Sequence, residues 1–491
     1  MSHPPSEDEA PTVDTELGAT RWLIGFVSGV LLLGITLFVP APEGMSDPAW
    51  RCAGLAMMMA VFWSTEALPI PVTALLPLLL APLLNLSGLD KVAAPYAHPV
   101  IFLFMGGFIL GLAMERWNLH RRIALHTMLA CGTGERRQVT GFMVATAFIS
   151  MWVSNTATAI MMLPIGMSVI AMMRDHHQNQ GEFPGALLLA IAYGASIGGF
   201  ATLIGTPPNA LLAAFLQEQY GIELGFAQWL IIGVPTSVLM LIVTGWWLSR
   251  GGYNLRTEDN ETVRHSLKQQ LTEMGGLSRA EKAVATIFLL TAAGWIFRPL
   301  ILRHFPGIPL TDTTIALCGA IALFVIPVRW KNLAFLMGWK DIQRLPWDVL
   351  LLFGGGLSLA AMIRKTGLAE WIAGNMNILE GMPLLMAIGL VVTVIIFLTE
   401  ITSNTATTAA FLPPLGALAV SLGMDPQMLA IPAAIAASCA FMLPVATPPN
   451  AIVFGSGLLS IRQMVRSGLI LNLAGIAIIT GLCSLLVGKI F

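Results

Sequence analysis

The chain has 491 residues, of which 56% are hydrophobic and only 11% are charged, and its mean hydropathy is +0.77. Because a soluble domain carries about 25% charged residues, this composition excludes an ordinary soluble enzyme and predicts a chain that faces lipid. Its 26 Lys and Arg nearly balance its 27 Asp and Glu, so there is no basic excess to hold nucleic acid. The five cysteines form no CxxC pair, so we expect neither a disulfide framework nor a metal site.

Residues 1–20 form an acidic, Pro-rich stretch. A secretory signal begins with basic residues, so we expect a disordered tail on the cytoplasmic side. From residue 21 onward, apolar stretches recur that approach the roughly 20 residues a helix needs to cross a bilayer. The sequence predicts about 11 crossings, at residues 22–39, 52–66, 71–86, 98–114, 184–216, 227–249, 283–300, 312–328, 347–363, 426–457 and 467–488.

Two further apolar segments, 138–173 and 385–420, are each interrupted by a polar cluster. Backbone inside a membrane leaves the helix only where protein or water satisfies its N–H and C=O groups. Both segments are therefore predicted to be re-entrant helical hairpins. Two of the crossings, 184–216 and 426–457, contain a Thr-Pro-Pro-Asn sequence and are predicted to be broken helices. The predicted fold class is an all-α polytopic membrane protein.

The distribution of Lys and Arg predicts the orientation of the chain. With the N-terminus in the cytoplasm, 19 of the 26 basic residues lie inside, in agreement with the positive-inside rule. The polar insertion 250–282 is then a cytoplasmic linker between a first half, 21–249, and a second half, 283–491. We expect an integral protein of a bacterial inner membrane.

The two halves share an internal repeat. The sequence Ser-Asn-Thr-Ala-Thr at 154–158 returns at 403–407, and Thr-Pro-Pro-Asn at 206–209 returns at 447–450. Five predicted crossings separate the two hairpins. Because five is odd, the second hairpin must enter from the opposite face, which predicts an inverted-topology repeat of the kind that builds transporter sites at the membrane midplane.

The repeated motifs have the chemistry of an ion-binding site. Thr-Pro-Pro-Asn predicts a helix restart, because Thr caps a helix and Pro is tolerated at the first helical position. Helix N-termini favour anions, but neither motif contains Lys or Arg, so a multivalent anion would need accompanying cations. Neutral oxygen ligands favour sodium. The candidate ligands are the hydroxyls of Ser150, Ser154 and Thr399, the amides of Asn155 and Asn404, and the carbonyls of Gly205 and Ala446.

Other roles remain open for some polar residues. A single Ser-Asn-Thr could simply hydrogen-bond a neighbouring helix, but the duplication at matched offsets favours a functional site. Asn209 and Asn450 either brace the first helical turn or touch an ion. Glu400 either tunes the second cation site, carries a proton, or is held by nearby N–H groups.

The two motif pairs, together with the stretch from Ala437 to Val453, resemble the divalent anion/sodium symporter family from about residue 20 onward. This resemblance implies a homodimer, a scaffold domain that holds the dimer contact, and a transport domain that moves like an elevator. It implies a first sodium site at Ser150, Ser154, Asn155 and Gly205, and a second at Thr399, Thr402, Asn404 and Ala446. It implies substrate contacts from Asn155, Thr156, Thr206, Pro207, Asn404, Thr405, Thr447 and Pro448.

The predicted function is sodium-coupled symport of a C4-dicarboxylate such as succinate, malate or fumarate, with two or more sodium ions. A sodium-independent or proton-coupled exchanger and a citrate or sulfate carrier of the same fold remain alternatives. An intramembrane hydrolase using Ser154 or Ser403 is disfavoured, because neither serine has a His or Lys at helical spacing to activate it. A passive channel is disfavoured because two broken motifs entering from opposite faces suit alternating access better than a continuous pore. We therefore expect a transporter and no enzymatic activity.

Overall fold

A computed structural model describes residues 16–174, 182–329, 331, 333–375 and 382–490. The predicted tail 1–20 lies outside this part except at its end, where residues 16–20 already belong to the first helix. In the first half the helices are α1 (Glu16–Phe38), α2 (Asp47–Thr65), α3 (Ile70–Thr73), α4 (Leu76–Leu83), α5 (Leu89–Ala93), α6 (Pro99–Arg116), α7 (Leu119–Cys131), α8 (Glu135–Ser150), α9 (Asn155–Arg174), α10 (Phe183–Gly199), α11 (Pro207–Tyr220) and α12 (Phe226–Trp246).

The polar insertion and the second half continue with helices and one short hairpin of strands. The helices are α13 (Glu261–Glu273), α14 (Arg279–His304), α15 (Asp312–Val325), α16 (Trp347–Lys365), α17 (Leu368–Asn375), α18 (Leu384–Thr399), α19 (Asn404–Ser421), α20 (Gln427–Ala437), α21 (Pro448–Phe454) and α22 (Ile461–Ile490). Strands β1 (Pro327–Arg329) and β2 (Ala334–Phe335) pair antiparallel, with Pro327 opposite Phe335.

Many of these helices are apolar. Within the described residues, six segments are long and apolar enough to cross a membrane: Leu89–Arg116, Asn155–Met173, Phe226–Gly251, Arg279–His304, Trp347–Lys365 and Ile461–Ile490. Six shorter apolar helices accompany them: Trp22–Phe38, Ile70–Leu83, Phe183–Gly199, Asp312–Val325, Leu384–Thr399 and Gln427–Ala437. The composition therefore predicted the class correctly, a helical protein that faces lipid.

The predicted crossing 71–86 is divided into two short helices, α3 and α4. Each has a proline in its first turn, Pro71 and Pro77, where the missing N–H costs nothing. Between them the backbone turns at Ala74, whose carbonyl accepts a hydrogen bond from the hydroxyl of Tyr96 at 2.5 Å. Prolines therefore interrupt an apolar stretch that is long enough to be continuous.

Close backbone packing surrounds the broken helix of the first half. Gly198 lies in the last turn of α10, and a Cβ built on it would fall 2.1 Å from the carbonyl oxygen of Ala147 on α8. Only glycine allows the two helices to approach so closely. The contact fixes the end of α10 directly beside the end of α8.

The restarted helices cross between the two halves. Helix α11 packs against α19, and helix α21 packs against α9. Each Thr-Pro-Pro-Asn helix therefore contacts the Ser-Asn-Thr helix of the other half. This crossed packing brings the four motifs to the same part of the molecule.

The polar insertion 250–282 contains helix α13 and is tied to the first half. Asp259 accepts hydrogen bonds from the backbone N–H groups of Gly134 and Thr133 at 3.0 and 3.1 Å, and Arg137 donates to it at 2.9 Å. These hydrogen bonds, chiefly that from Gly134, lower the pKa of the Asp259 carboxyl. The insertion is thus held at the start of α8.

A buried ion pair forms a second anchor near the end of the insertion. The guanidinium of Arg122 on α7 donates to Glu281 at 2.7 Å, and both side chains are nearly inaccessible to solvent. Arg122 also donates to the carbonyl of Gly275 at 2.9 Å. The pair fixes α7 to the beginning of α14, and removal of either partner would leave a buried charge alone.

Candidate functional site

The four repeated motifs line one cavity of about 780 Å³. All of the predicted site residues except Ser150 and Thr399 face it. Those lining it are Ser154, Asn155, Thr156, Gly205, Thr206, Pro207, Thr402, Asn404, Thr405, Ala446, Thr447 and Pro448. The structure therefore brings the repeated parts of the two halves to one cavity.

Several helices begin at this cavity. Asn155 opens α9 and Asn404 opens α19, while the two Thr-Pro-Pro-Asn motifs open α11 and the short helix α21. Thr206 and Thr447 adopt nearly identical extended cap conformations, with φ/ψ of −144/145° and −143/150°, and Pro follows each, as the motif predicts. The positive ends of helix dipoles therefore face the cavity.

Ser150 and Thr399 lie directly behind the cavity wall, and both are fully buried. The Ser150 hydroxyl oxygen is 2.7 Å from Oδ1 of Asn155 and 2.7 Å from the carbonyl oxygen of Ala195. A hydroxyl has one proton, so it can satisfy only one of these two acceptors. The arrangement therefore gathers three oxygens with a single proton among them.

The same arrangement recurs in the second half. The Thr399 hydroxyl oxygen is 2.7 Å from Oδ1 of Asn404 and 2.9 Å from the carbonyl oxygen of Ala437. Clusters of hydroxyl, amide and carbonyl oxygens are the donor sets that hard monovalent cations prefer. Chemically, each cluster is suited to a cation and lies next to a helix N-terminus suited to an anion.

Asn209 and Asn450 brace the unwound segments. The side-chain amide of Asn209 donates to the carbonyl of Thr202 at 2.7 Å, and that of Asn450 donates to the carbonyl of Leu443 at 3.0 Å. Both side chains are fully buried, and neither lines the cavity. The two amide nitrogens therefore brace the unwound segments, whereas both Oδ1 atoms are buried without a hydrogen-bond partner among the described residues. Contact of these oxygens with an ion stays a prediction.

Glu400 holds the unwound segment of the second half. Its carboxylate accepts hydrogen bonds from the backbone N–H groups of Phe441, Met442 and Leu443 at 2.7–3.1 Å, and from the side-chain amide of Asn472 at 2.7 Å. Only 3% of Glu400 is exposed. Every one of these neighbours is a hydrogen-bond donor, and the carboxylate accepts from all of them. It therefore connects the unwound segment 441–443 to the end of α18 and to Asn472 on α22.

The first half has no equivalent carboxylate. Met151 stands at the position that corresponds to Glu400 by the 249-residue offset. In the first half the direction of hydrogen bonding is reversed, because the unwound segment supplies the donor. The hydroxyl of Thr202 donates to the carbonyl of Met151 at 2.5 Å. The two halves therefore reach similar geometry with different charges.

The cavity lining also contains two acidic residues that sequence reasoning did not assign to the site. Glu66 follows the last residue of α2, and Asp348 lies in the first turn of α16. None of the described residues that line the cavity is Lys or Arg.

Broken apolar helices that end at one polar cavity are typical of secondary transporters. The sequence model of the family described as "Sodium:sulfate symporter transmembrane region" matches residues 20–489. The chain belongs to this family.

Curated relatives match along almost the whole chain. The sodium-dependent dicarboxylate transporter SdcS of Staphylococcus saprophyticus is 42% identical over 468 residues, which cover 93% of this chain and 90% of the relative. SdcS of Staphylococcus aureus strain MRSA252 is 41% identical over 469 residues, covering 94% and 90% of the two chains.

The fold is also similar to that of solved transporters. MtrF of Neisseria gonorrhoeae aligns with a TM-score of 0.58 at 13% identity, over 94% of each chain. The YdaH transporter of Alcanivorax borkumensis aligns with a TM-score of 0.57 at 15% identity, over 96% of this chain and 98% of that one. At these identities the similarity concerns the fold alone.

Proposed function

We propose that this protein is a sodium-coupled symporter of a C4-dicarboxylate such as succinate, malate or fumarate. The observation that carries the proposal is that both copies of both motifs line one cavity rich in hydroxyls, amides and helix ends, without Lys or Arg among its described lining residues. A dianion in such a cavity needs cations for charge balance. The sodium-dependent dicarboxylate transporters at 41–42% identity support the same conclusion.

The proposed sodium sites are the two mirrored oxygen clusters. The first would use Ser150, Ser154, Asn155 and Gly205, and the second would use Thr399, Thr402, Asn404 and Ala446. The proposed substrate contacts are Asn155, Thr156, Thr206, Pro207, Asn404, Thr405, Thr447 and Pro448. In this arrangement Asn155 and Asn404 each serve both a cation and the anion.

The proposed architecture is an inverted repeat with hairpins α8–α9 and α18–α19 and about 11 crossings. A short helix precedes each hairpin, α7 in the first half and α17 in the second, at matching places in the repeat. We propose that the hairpins and broken helices move together against a scaffold that forms a homodimer. With the N-terminus in the cytoplasm, the cavity borders the cytoplasmic ends of α2 and α16, which corresponds to an inward-facing state in a bacterial inner membrane.

Uptake into proteoliposomes tests this proposal. Radiolabelled succinate should accumulate several-fold faster with an inward sodium gradient than with an inward potassium or choline gradient. An inward proton gradient in the absence of sodium should not accelerate uptake in the same way. Equal rates in all conditions would overturn symport, and acceleration by internal unlabelled succinate alone would favour the exchanger.

A further inference from the structure

The cavity proposed to hold a dianion has two carboxylates on its wall. Glu66 and Asp348 both line it and both are exposed. Neither carboxylate forms a hydrogen bond or ion pair with another described residue. Because no basic residue in the described lining offsets them, their charges act directly on whatever enters. Their sign is opposite to that expected for residues that attract a dicarboxylate.

The backbone at Glu66 is one that glycine adopts more readily than a residue with a side chain. Glu66 ends α2 in the left-handed conformation, with φ 53° and ψ 33°. Glycine is the usual residue in this position, and a residue with a Cβ is less favourable there by about 1 kcal/mol. The chain keeps a carboxylate where glycine would fit the backbone better.

The two acids belong to a different part of the molecule from the four motifs. They lie on α2 and α16, whereas the motifs lie on the hairpins and broken helices. The proposed elevator movement would carry the motifs past α2 and α16. The acids would then face the substrate only while the cavity is open to the cytoplasm.

We propose that Glu66 and Asp348 weaken dicarboxylate binding selectively in the inward-facing state and thereby favour release into the cytoplasm. This inference rests on the proposed function. The acids need not bind anything, since a fixed negative charge repels a dianion twice as strongly as a monoanion at the same distance. Given screening by salt, we expect each acid to weaken binding about threefold.

The experiment compares the two faces of the membrane. The KM for succinate is measured in right-side-out and inside-out vesicles for the native protein, Glu66→Gln, Asp348→Asn and the double variant. At low ionic strength, each single variant should lower the cytoplasmic-side KM about threefold, and the double variant about tenfold. The external KM should be unchanged. High salt should reduce the difference between the native protein and the variants.

Matched variants separate charge from structure. Glu66→Asp and Asp348→Glu keep the charge and should keep the native KM on both faces. Glu258→Gln removes an exposed carboxylate of the predicted cytoplasmic linker that does not line the cavity, so it should change neither KM. If Glu66 variants fail to fold, Asp348→Asn alone must still show the threefold, one-sided effect. Asp348 lies in the first turn of α16, where a carboxylate also stabilises the helix by up to about 1 kcal/mol, so folded protein is quantified for this variant too.

Two results would overturn the inference. One is a double variant whose cytoplasmic-side KM equals that of the native protein. The other is an equal shift on both faces, which would mean that the acids act in both states. Absence of sodium-coupled uptake by the native protein is a different failure, because it would reject the proposed function itself.

Discussion

We expect Asn404→Ala to reduce sodium-coupled succinate uptake at least a hundredfold, and Asn155→Ala to do the same. Each carboxamide opens a helix at the cavity, and its Oδ1 lies 2.7 Å from the hydroxyl oxygen of Thr399 or Ser150. Removing it takes one ligand from a proposed sodium site and one polar contact from the substrate. Hydrogen bonds that involve charged partners contribute about 1.5–3 kcal/mol each, so the loss of two such contacts gives an effect of this size.

The measurement is initial uptake at saturating sodium, with folded protein quantified by size-exclusion chromatography. Asn254→Ala is the matched control, because this exposed side chain lies in the linker and, among the described residues, Asn254 is hydrogen-bonded through its backbone N–H to Glu182 and not through its side chain. It should transport like the native protein. Native kinetics for sodium and succinate in Asn404→Ala or Asn155→Ala would contradict the assignment of that residue.

Glu400→Gln should lower uptake more than tenfold and also lower the melting temperature. The native carboxylate accepts hydrogen bonds from three consecutive backbone N–H groups and from Asn472. A glutamine amide would turn its NH2 group toward some of these donors. Each buried N–H left without an acceptor costs about 1–3 kcal/mol. The unwound segment, which supplies the carbonyl of Ala446, would lose hydrogen bonds that hold it in place.

Asn472→Ala provides the comparison for Glu400→Gln. It removes one donor and leaves the three backbone hydrogen bonds in place, so it should affect uptake and stability less. If Glu400 instead carried a proton, Glu400→Gln would keep the fold and stability and lose only the pH dependence of transport. Intact uptake and stability in Glu400→Gln would contradict the role of the Glu400 carboxylate in holding the unwound segment.

The sequence predicts the breaks and the meeting of the motifs because both depend on local chemistry and on the repeat. Pro207 and Pro448 cannot continue a preceding helix, and a threonine before each can cap the next one. The predicted inverted repeat would then bring the two copies toward each other from opposite faces. The helix restart occurs at both prolines, but only the side chain of Thr447 accepts a capping hydrogen bond, from the backbone N–H of Asn450 at 3.3 Å, whereas that of Thr206 accepts none.

The other contacts depend on residues far apart in the chain. Glu400 meets residues 441–443, Arg122 meets Glu281, and Asp259 meets the start of α8. Nothing near any of these residues in sequence indicates its partner. Glu66 and Asp348 likewise look like ordinary residues at helix ends until α2 and α16 are placed beside the cavity.

Binding of radiolabelled succinate to the purified protein, measured as a function of sodium concentration, tests most directly whether the mirrored oxygen clusters hold sodium for the anion. We predict sigmoidal sodium dependence, with no binding when choline replaces sodium. Ser150→Ala and Thr399→Ala should each shift the curve to higher sodium, because each removes the hydroxyl at the centre of one cluster. Succinate binding that is equally tight in choline and in sodium, and unchanged in both variants, would contradict the account.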